Sequence, residues 1–216
     1  ARGVFMGVRY QGSMFSATNT NDIIFQTTGR STGLFANVDS TRRAGLELAF
    51  SGVVDSLNWY LSYTYLKATF ESDLRVLGPN HPDADANGEL MVPRGSRLPG
   101  IPDNMVKIGA EYAFGEQLRA GLDANYNSGQ FLRGDEANAL EQLPGYILVN
   151  LHVSYQFSQA LSVFAKASNV FDKRYSNFGL LGEDPGRVLP TLADQRPLFI
   201  GVGAPRAAWV GFQLKI

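Results

Sequence analysis

The stretch His81-Pro82-Asp83-Ala84-Asp85-Ala86-Asn87-Gly88-Glu89 contains the pattern D-x-D-x-N-G. Carboxylate and amide oxygens at alternate positions, then a glycine for a sharp turn, match the first half of a calcium loop, with Asp83, Asp85 and Asn87 as ligands. Counted from Asp83, the twelfth position is Arg94, where such a loop would carry a bidentate glutamate. A solvated acidic loop is the plainer expectation for these residues, and a calcium ion ordering the loop is the sharper one. A second set comprises Arg94, Arg97, Arg133, Phe178, Arg187 and Arg196, which lie among glycines and prolines. Guanidinium forks and aromatic faces could hold an anionic ligand, and ordinary loop packing accounts for the same composition.

Other chemistries are poorly supplied. His81 and His152 are the only histidines, and a zinc site needs three or four ligands. No G-x-S-x-G, P-loop or dinucleotide fingerprint occurs, and the Ser, His and acidic residues have no triad-like spacing. The count of cysteines is 0, which excludes disulfides, thiolate metal sites and thiol catalysis. Lys+Arg 19 against Asp+Glu 20 offers no basic face, so no nucleic-acid partner is expected.

The elements that must position these residues are strands. From Ile147 to Phe157 every second residue is apolar, with Asn150, His152, Ser154 and Gln156 between and Leu148 as the exception. Successive side chains of a strand point to opposite faces, so this segment has one apolar and one polar face. The pattern recurs in about nine segments. They are Val4–Tyr10, Met14–Thr27, Ala44–Ser51, Leu57–Phe70, Met105–Phe114, Leu118–Tyr126, Ile147–Phe157, Leu161–Tyr175 and Arg206–Ile216. No run of apolar residues is long enough for a membrane-spanning helix, a criterion that a β-barrel escapes. Gly52–Ser56, Gly115–Gln117 and Ser158–Ala160 are short links. The links 28–43, 71–104, 127–145 and 176–205 are long.

Short and long links alternate, so antiparallel neighbours would gather all short turns at one end and all long loops at the other. Outer-membrane barrels have this asymmetry, and sandwiches do not. Phe50, Trp59, Phe114 and Phe157 fall near the short turns on apolar faces, and Tyr63, Tyr65 and Tyr126 fall toward the long loops, as two interfacial girdles would. The opposite face carries Glu47, Lys107, Glu111, Arg119, Asp123, His152 and Lys166, which suit a water-filled or plugged lumen and also a solvated sandwich face. Lys67 is on the apolar side of its strand, near the outer end, where a charge costs little.

Several stretches together resemble the TonB-dependent outer-membrane receptors. Asn37-Val38 followed by Arg42-Arg43-Ala44-Gly45-Leu46-Glu47-Leu48 is similar to the family's N…R…G-x-E stretch. Leu98-Pro99-Gly100-Ile101-Pro102 resembles a proline-marked strand entry, and Asn169-Val170-Phe171-Asp172-Lys173-Arg174-Tyr175 resembles the N-x-F-D-x-x-Y element. Gly203-Ala204-Pro205-Arg206 looks like the G-x-P-R that opens the last strand. The chain departs from the family in ending on Ile216, where an aromatic residue is usual.

The resemblance implies an all-β fold, an antiparallel up-and-down transmembrane β-barrel of which residues 1–216 are the C-terminal portion. The intact barrel would have about 22 strands, of which this chain supplies about nine, and the plug domain is not present in this sequence. Nine strands would leave two unpaired edges, so a fragment of a longer protein is expected. It implies a multi-pass protein of the Gram-negative outer membrane that imports a scarce large nutrient such as a ferric siderophore, cobalamin or a glycan, and no catalysis. Implied partners are outer-membrane lipid and lipopolysaccharide, the TonB energy-coupling complex acting through the plug, and a ferric chelate or similar ligand at the loop arginines. No cofactor is required, although calcium in the 83–89 loop would fit cobalamin-type members of the family. Two other assignments remain open at the level of sequence: a soluble carbohydrate-binding β-sandwich and a small outer-membrane barrel enzyme.

Overall fold

The computed structural model describes residues 1–28, 32–183, 186, 189–192 and 197–215. Its strands are β1 (Arg2–Phe5), β2 (Val8–Thr28), β3 (Thr32–Val54), β4 (Leu57–Phe70), β5 (Leu74–Leu77), β6 (Glu89–Val92), β7 (Asn104–Phe114), β8 (Leu118–Asn127), β9 (Tyr146–Gln156), β10 (Leu161–Ser168), β11 (Ser176–Leu181), β12 (Leu198–Val202) and β13 (Ala207–Leu214). A 3-10 turn covers Pro190–Leu192. Nine strands form one sheet in the order β1-β2-β3-β4-β7-β8-β9-β10-β13, every neighbour antiparallel. Among the described residues β1 and β13 are its edges, and the sheet does not close.

The ladder fixes the faces, because directly opposed residues share one. Leu46, Tyr65 and Met14 lie in one row, and Leu61, Phe50 and Ile108 in another. The same face continues through Leu122, Leu151, Ala167 and Ala208. Nothing covers it. Val210 and Phe212 are each 74% exposed, and Ile108, Leu122 and Leu151 are also open. A sandwich would bury such a face against a second sheet, and among the described residues no second sheet packs on it. Exposed apolar area on this scale calls for lipid.

The opposite face is polar. Glu111 accepts from His152 Nε2 at 3.1 Å and from Arg119 at 3.5 Å. Asp123 accepts from the amides of Asn150 at 2.6 Å and Asn125 at 3.1 Å. On the same face, rings lie over glycines of the neighbouring strand: Phe15 on Gly45, Tyr60 on Gly109, His152 on Gly121 and Phe164 on Gly211. A Cβ at Gly121 or Gly211 would stand 2.5 Å from the ring beside it. Each pair locks one strand to the next, because slipping by a residue would turn the ring to the wrong face.

Short turns all lie at one end, between β1 and β2, β3 and β4, β7 and β8, and β9 and β10. The turn Met6-Gly7 corrects the sequence-based expectation of a first strand over Val4–Tyr10. Met6 and Gly7 both have positive φ, 49° and 80°, the signature of a two-residue hairpin whose twist matches its strands. The expected long link 28–43 is also corrected: β2 and β3 stay paired from Arg9↔Ser51 to Thr28↔Thr32 and form a hairpin that rises above the rest of the sheet. The strand expected to reach Tyr175 stops at Ser168, because Asn169 turns left-handed at φ 48°. The loops 71–103 and 169–206 carry hairpins of their own, β5–β6 and β11–β12.

The compact apolar cores lie in these outer loops. Phe70 and Ala68, at the end of β4, are buried with Val38, Val76, Leu90, Val92 and Leu98. A second cluster joins Leu132, Leu143 and Leu181.

Candidate functional site

Three outer loops dock on one another through polar contacts that the barrel wall does not need. His81 and Asp135 are the most enclosed of these groups, with side-chain exposures of 0% each. His81 Nδ1 accepts the Asp83 backbone N–H at 3.0 Å, so Nε2 carries the proton and donates to Asp135 Oδ1 at 3.1 Å. The same carboxylate accepts the backbone N–H groups of Ala139 at 2.8 Å and Leu140 at 3.1 Å. Loop 71–103 is thereby tied to loop 128–145. Asn138, at φ 62°, strengthens the tie by donating to the Arg97 carbonyl at 3.0 Å. The Gly100 N–H donates to the Phe131 carbonyl at 2.9 Å.

The third loop joins by a parallel bridge between Arg133 and Leu180. The Arg133 N–H donates to Gly179 O at 2.9 Å, and the Leu181 N–H to Arg133 O at 2.8 Å. This brings two of the expected ligand residues together. The Arg133 guanidinium sits 5.7 Å from the centroid of the Phe178 ring, and both residues are exposed, Phe178 at 41%.

The other expected residues lie apart from that pair. Arg97 pairs with Asp103 at 2.8 Å and is mostly enclosed, so its guanidinium is engaged inside the loop. Arg94 is exposed and 3.8 Å from Glu71. It lines a cleft on the outer wall with Arg42 and Lys67. Arg187 and Arg196 lie outside the described residues.

The 83–89 segment forms an Asx turn. Asp85 Oδ1 accepts the N–H groups of Asn87 at 2.8 Å and Glu89 at 3.0 Å, and these backbone hydrogen bonds, chiefly that from Glu89, hold its carboxyl below the usual range. Arg75 stands 3.4 Å from Asp85 Oδ2 and 3.5 Å from Glu89. A guanidinium thus takes the place that the sequence pattern offers to a cation, and the donor set does not fit calcium as it stands. Among the described residues no three His, Asp or Glu side chains are grouped closely enough to hold a metal ion.

Sequence reasoning missed Asp135, Glu136, Asn138 and Asn169 as loop organisers. Burial pushes the Glu136 carboxyl above its ordinary value, while its Oε1 accepts the Gly134 N–H at 3.1 Å. Asn169 bonds through its side chain to Lys173 N at 2.8 Å, Lys173 O at 3.0 Å and Ala204 O at 3.1 Å, and so opens and closes the third loop. The Gly134-Asp135 turn signal was the one trace of the buried latch in the sequence.

One twisted sheet, apolar outside and polar inside, with tight turns at one end and interlocked loops at the other, defines the wall of an outer-membrane β-barrel. Residues 7–170 match the family described as TonB dependent receptor-like, beta-barrel, and the chain belongs to that family, whose members are transport receptors of the Gram-negative outer membrane and not enzymes. The chain is 27% identical over 139 residues to the metal-pseudopaline receptor CntO of Pseudomonas aeruginosa, a match that covers 62% of this chain and 17% of CntO. It therefore spans under a fifth of that relative. In fold it is similar to the ferric yersiniabactin uptake receptor FyuA of Yersinia pestis, with TM-score 0.70 and 14% identity over 99% of this chain and 28% of FyuA. It is also similar to the siderophore receptor PiuA of Acinetobacter baumannii, with TM-score 0.68 and 18% identity over 95% of this chain and 26% of PiuA.

Proposed function

We propose that this chain is the C-terminal barrel portion of a receptor that imports a scarce metal chelate, such as a ferric siderophore or cobalamin, across the outer membrane. In that assignment the nine strands are part of a larger barrel of about 22, and a plug domain outside this sequence couples to the TonB complex. The observation that carries the proposal is the exposed Arg133–Phe178 pair on a platform of three mutually bonded loops. A guanidinium offers paired N–H donors to carboxylate, catecholate or hydroxamate oxygens, and an aromatic ring offers apolar area beside them. A fixed platform reduces the ordering cost of binding. The relatives' names, metal-pseudopaline and ferric yersiniabactin receptor, agree with a chelated metal as cargo without choosing one.

The test uses the intact receptor in cells. The double variant Arg133→Ala/Phe178→Ala should bind its chelate roughly tenfold or more weakly, as expected for loss of a charge-assisted contact and a ring. Surface abundance and the heat-resistant barrel form should be unchanged. Unaltered uptake of every metal chelate tried would remove this pair from the binding surface.

A further inference from the structure

The lipid-facing rows of the nine-stranded sheet contain two charged residues, Arg42 and Lys67, and these are neighbours. Lys67 is opposite Ala44, and Arg42 is opposite Thr69, which places the two cations on a short diagonal of the β3–β4 ladder. Arg94, from the loop that follows, comes down beside them. Together they line a cleft of about 250 Å³ with Thr69 and Glu71. Three cations face one carboxylate there. Glu71 accepts from Thr69 at 2.8 Å and stands 3.8 Å from Arg94, while Arg42 Nε donates to Ser16 Oγ at 3.1 Å. The Lys67 side chain is exposed, and its ammonium makes no hydrogen bond or ion pair with another described residue.

The height of the cleft matters as much as its charge. About ten residues separate Lys67 from Leu57 at the tight turn, roughly 33 Å of strand, which a tilt of about 40° reduces to a height of roughly 25 Å. That is the thickness of the apolar band of such barrels. Tyr65 and Tyr63 lie below Lys67 on the same face, and below them the face is uncharged down to Trp59. The cleft is therefore level with the headgroups of the outer leaflet and opens toward them, away from the lumen.

We infer that Arg42, Lys67 and Arg94 form a binding site for the phosphate groups of a phosphorylated glycolipid of the outer leaflet. Guanidinium and ammonium groups at this level meet the phosphates directly, while the acyl chains lie on the apolar rows beneath. In this assignment Arg94 serves the lipid face and not the transported ligand. The inference rests on the barrel's placement in the outer membrane and is independent of which nutrient is carried.

The test titrates the purified intact receptor in detergent with bisphosphorylated lipid A and with its dephosphorylated form, and counts bound lipid by native mass spectrometry. The variant Arg42→Gln/Lys67→Gln/Arg94→Gln should bind the phosphorylated form about fivefold more weakly per cation lost, roughly a hundredfold in all. The exchange Arg42→Lys/Lys67→Arg/Arg94→Lys should keep most of the affinity, and Lys107→Gln/Lys166→Gln, which removes charge from the lumen face, should change nothing. Inorganic phosphate at matched concentration should not displace the lipid; displacement would make the cleft a site for free phosphate and overturn the lipid assignment. Equal binding of both lipid forms by wild type, or wild-type affinity in the triple variant, would also overturn it. If the triple variant does not fold, Lys67→Gln alone serves, with a loss of about fivefold expected and an unchanged affinity contradicting the inference. Chelate uptake is a separate readout: lipid lost with uptake kept would confirm the cleft without touching the transport assignment.

Discussion

Asp135 is the residue on which the outer loops most depend. Its carboxylate is enclosed and accepts from one imidazole and two backbone N–H groups, so truncation leaves one buried and two part-buried donors without partners. We expect Asp135→Ala to cost roughly 3 kcal/mol of local loop stability. Hydrogen exchange should report it as lost protection in 71–103 and 128–145, with the strands below unaffected; equal loss along β7 and β8 would show that the loops and wall unfold as one unit. Glu136 gives the same region a pH dependence. Burial raises its carboxyl above the ordinary 4.5, and the neighbouring Asp135 adds to the rise, against the Gly134 N–H and Arg133. The folded loop therefore holds a proton that the unfolded loop releases. Loop stability is greatest below the ordinary value and falls as pH rises through the window up to the folded value. Glu136→Gln should flatten that dependence in the protection factors of 128–145, and a dependence left intact would assign it elsewhere.

At the level of elements, the strands obey a two-faced rule whose energetic consequence is one-sided. Ile108 sits mid-wall on the lipid face, opposite Leu61 and Ala124. Ile108→Arg should cost about 2–4 kcal/mol in unfolding from lipid vesicles, whereas Lys107→Arg next to it on the lumen face should cost less than about 0.5 kcal/mol. Similar costs at the two positions would contradict the assignment of faces. This alternation made the wall legible in the sequence. Nine strands and their two faces follow from a period of two, and the rhythm of turns from the breaks in it. The missed features have physical causes. Met6-Gly7 escaped because a two-residue turn inside an apolar run hardly interrupts the alternation. The upper part of β3 escaped because its polar residues, Asp39 to Arg43, look like loop composition, although Thr41 and Arg43 bond to Asp22 across the hairpin. Of the candidate site, the residue types were legible and their pairing was not. Arg133 and Phe178 meet only through a bridge between two loops, and no local pattern encodes that contact.

For the whole molecule, a sheet with apolar residues outside and a polar network inside has no soluble resting place. Its stability comes from lipid on one face and from the hydrogen-bonded ladder between strands, with compact packing reserved for the loops. That division suits a transport receptor: a wall that stays rigid, and a loop cap whose latches can differ between ligands. Orientation in the membrane tests this most directly. These 216 residues contain 0 cysteines, so single thiols can be introduced into them in an intact receptor whose remaining cysteines, if any, are first replaced by serine. In intact cells a membrane-impermeant maleimide should label thiols placed at Ala84 and Ala139 in the outer loops. Thiols at Asp55 and Glu116 in the tight turns should label only after the outer membrane is permeabilised. Labelling of Asp55→Cys and Glu116→Cys in intact cells, or recovery of the protein in the soluble fraction with all four sites reactive, would contradict an outer-membrane barrel with these loops facing outward.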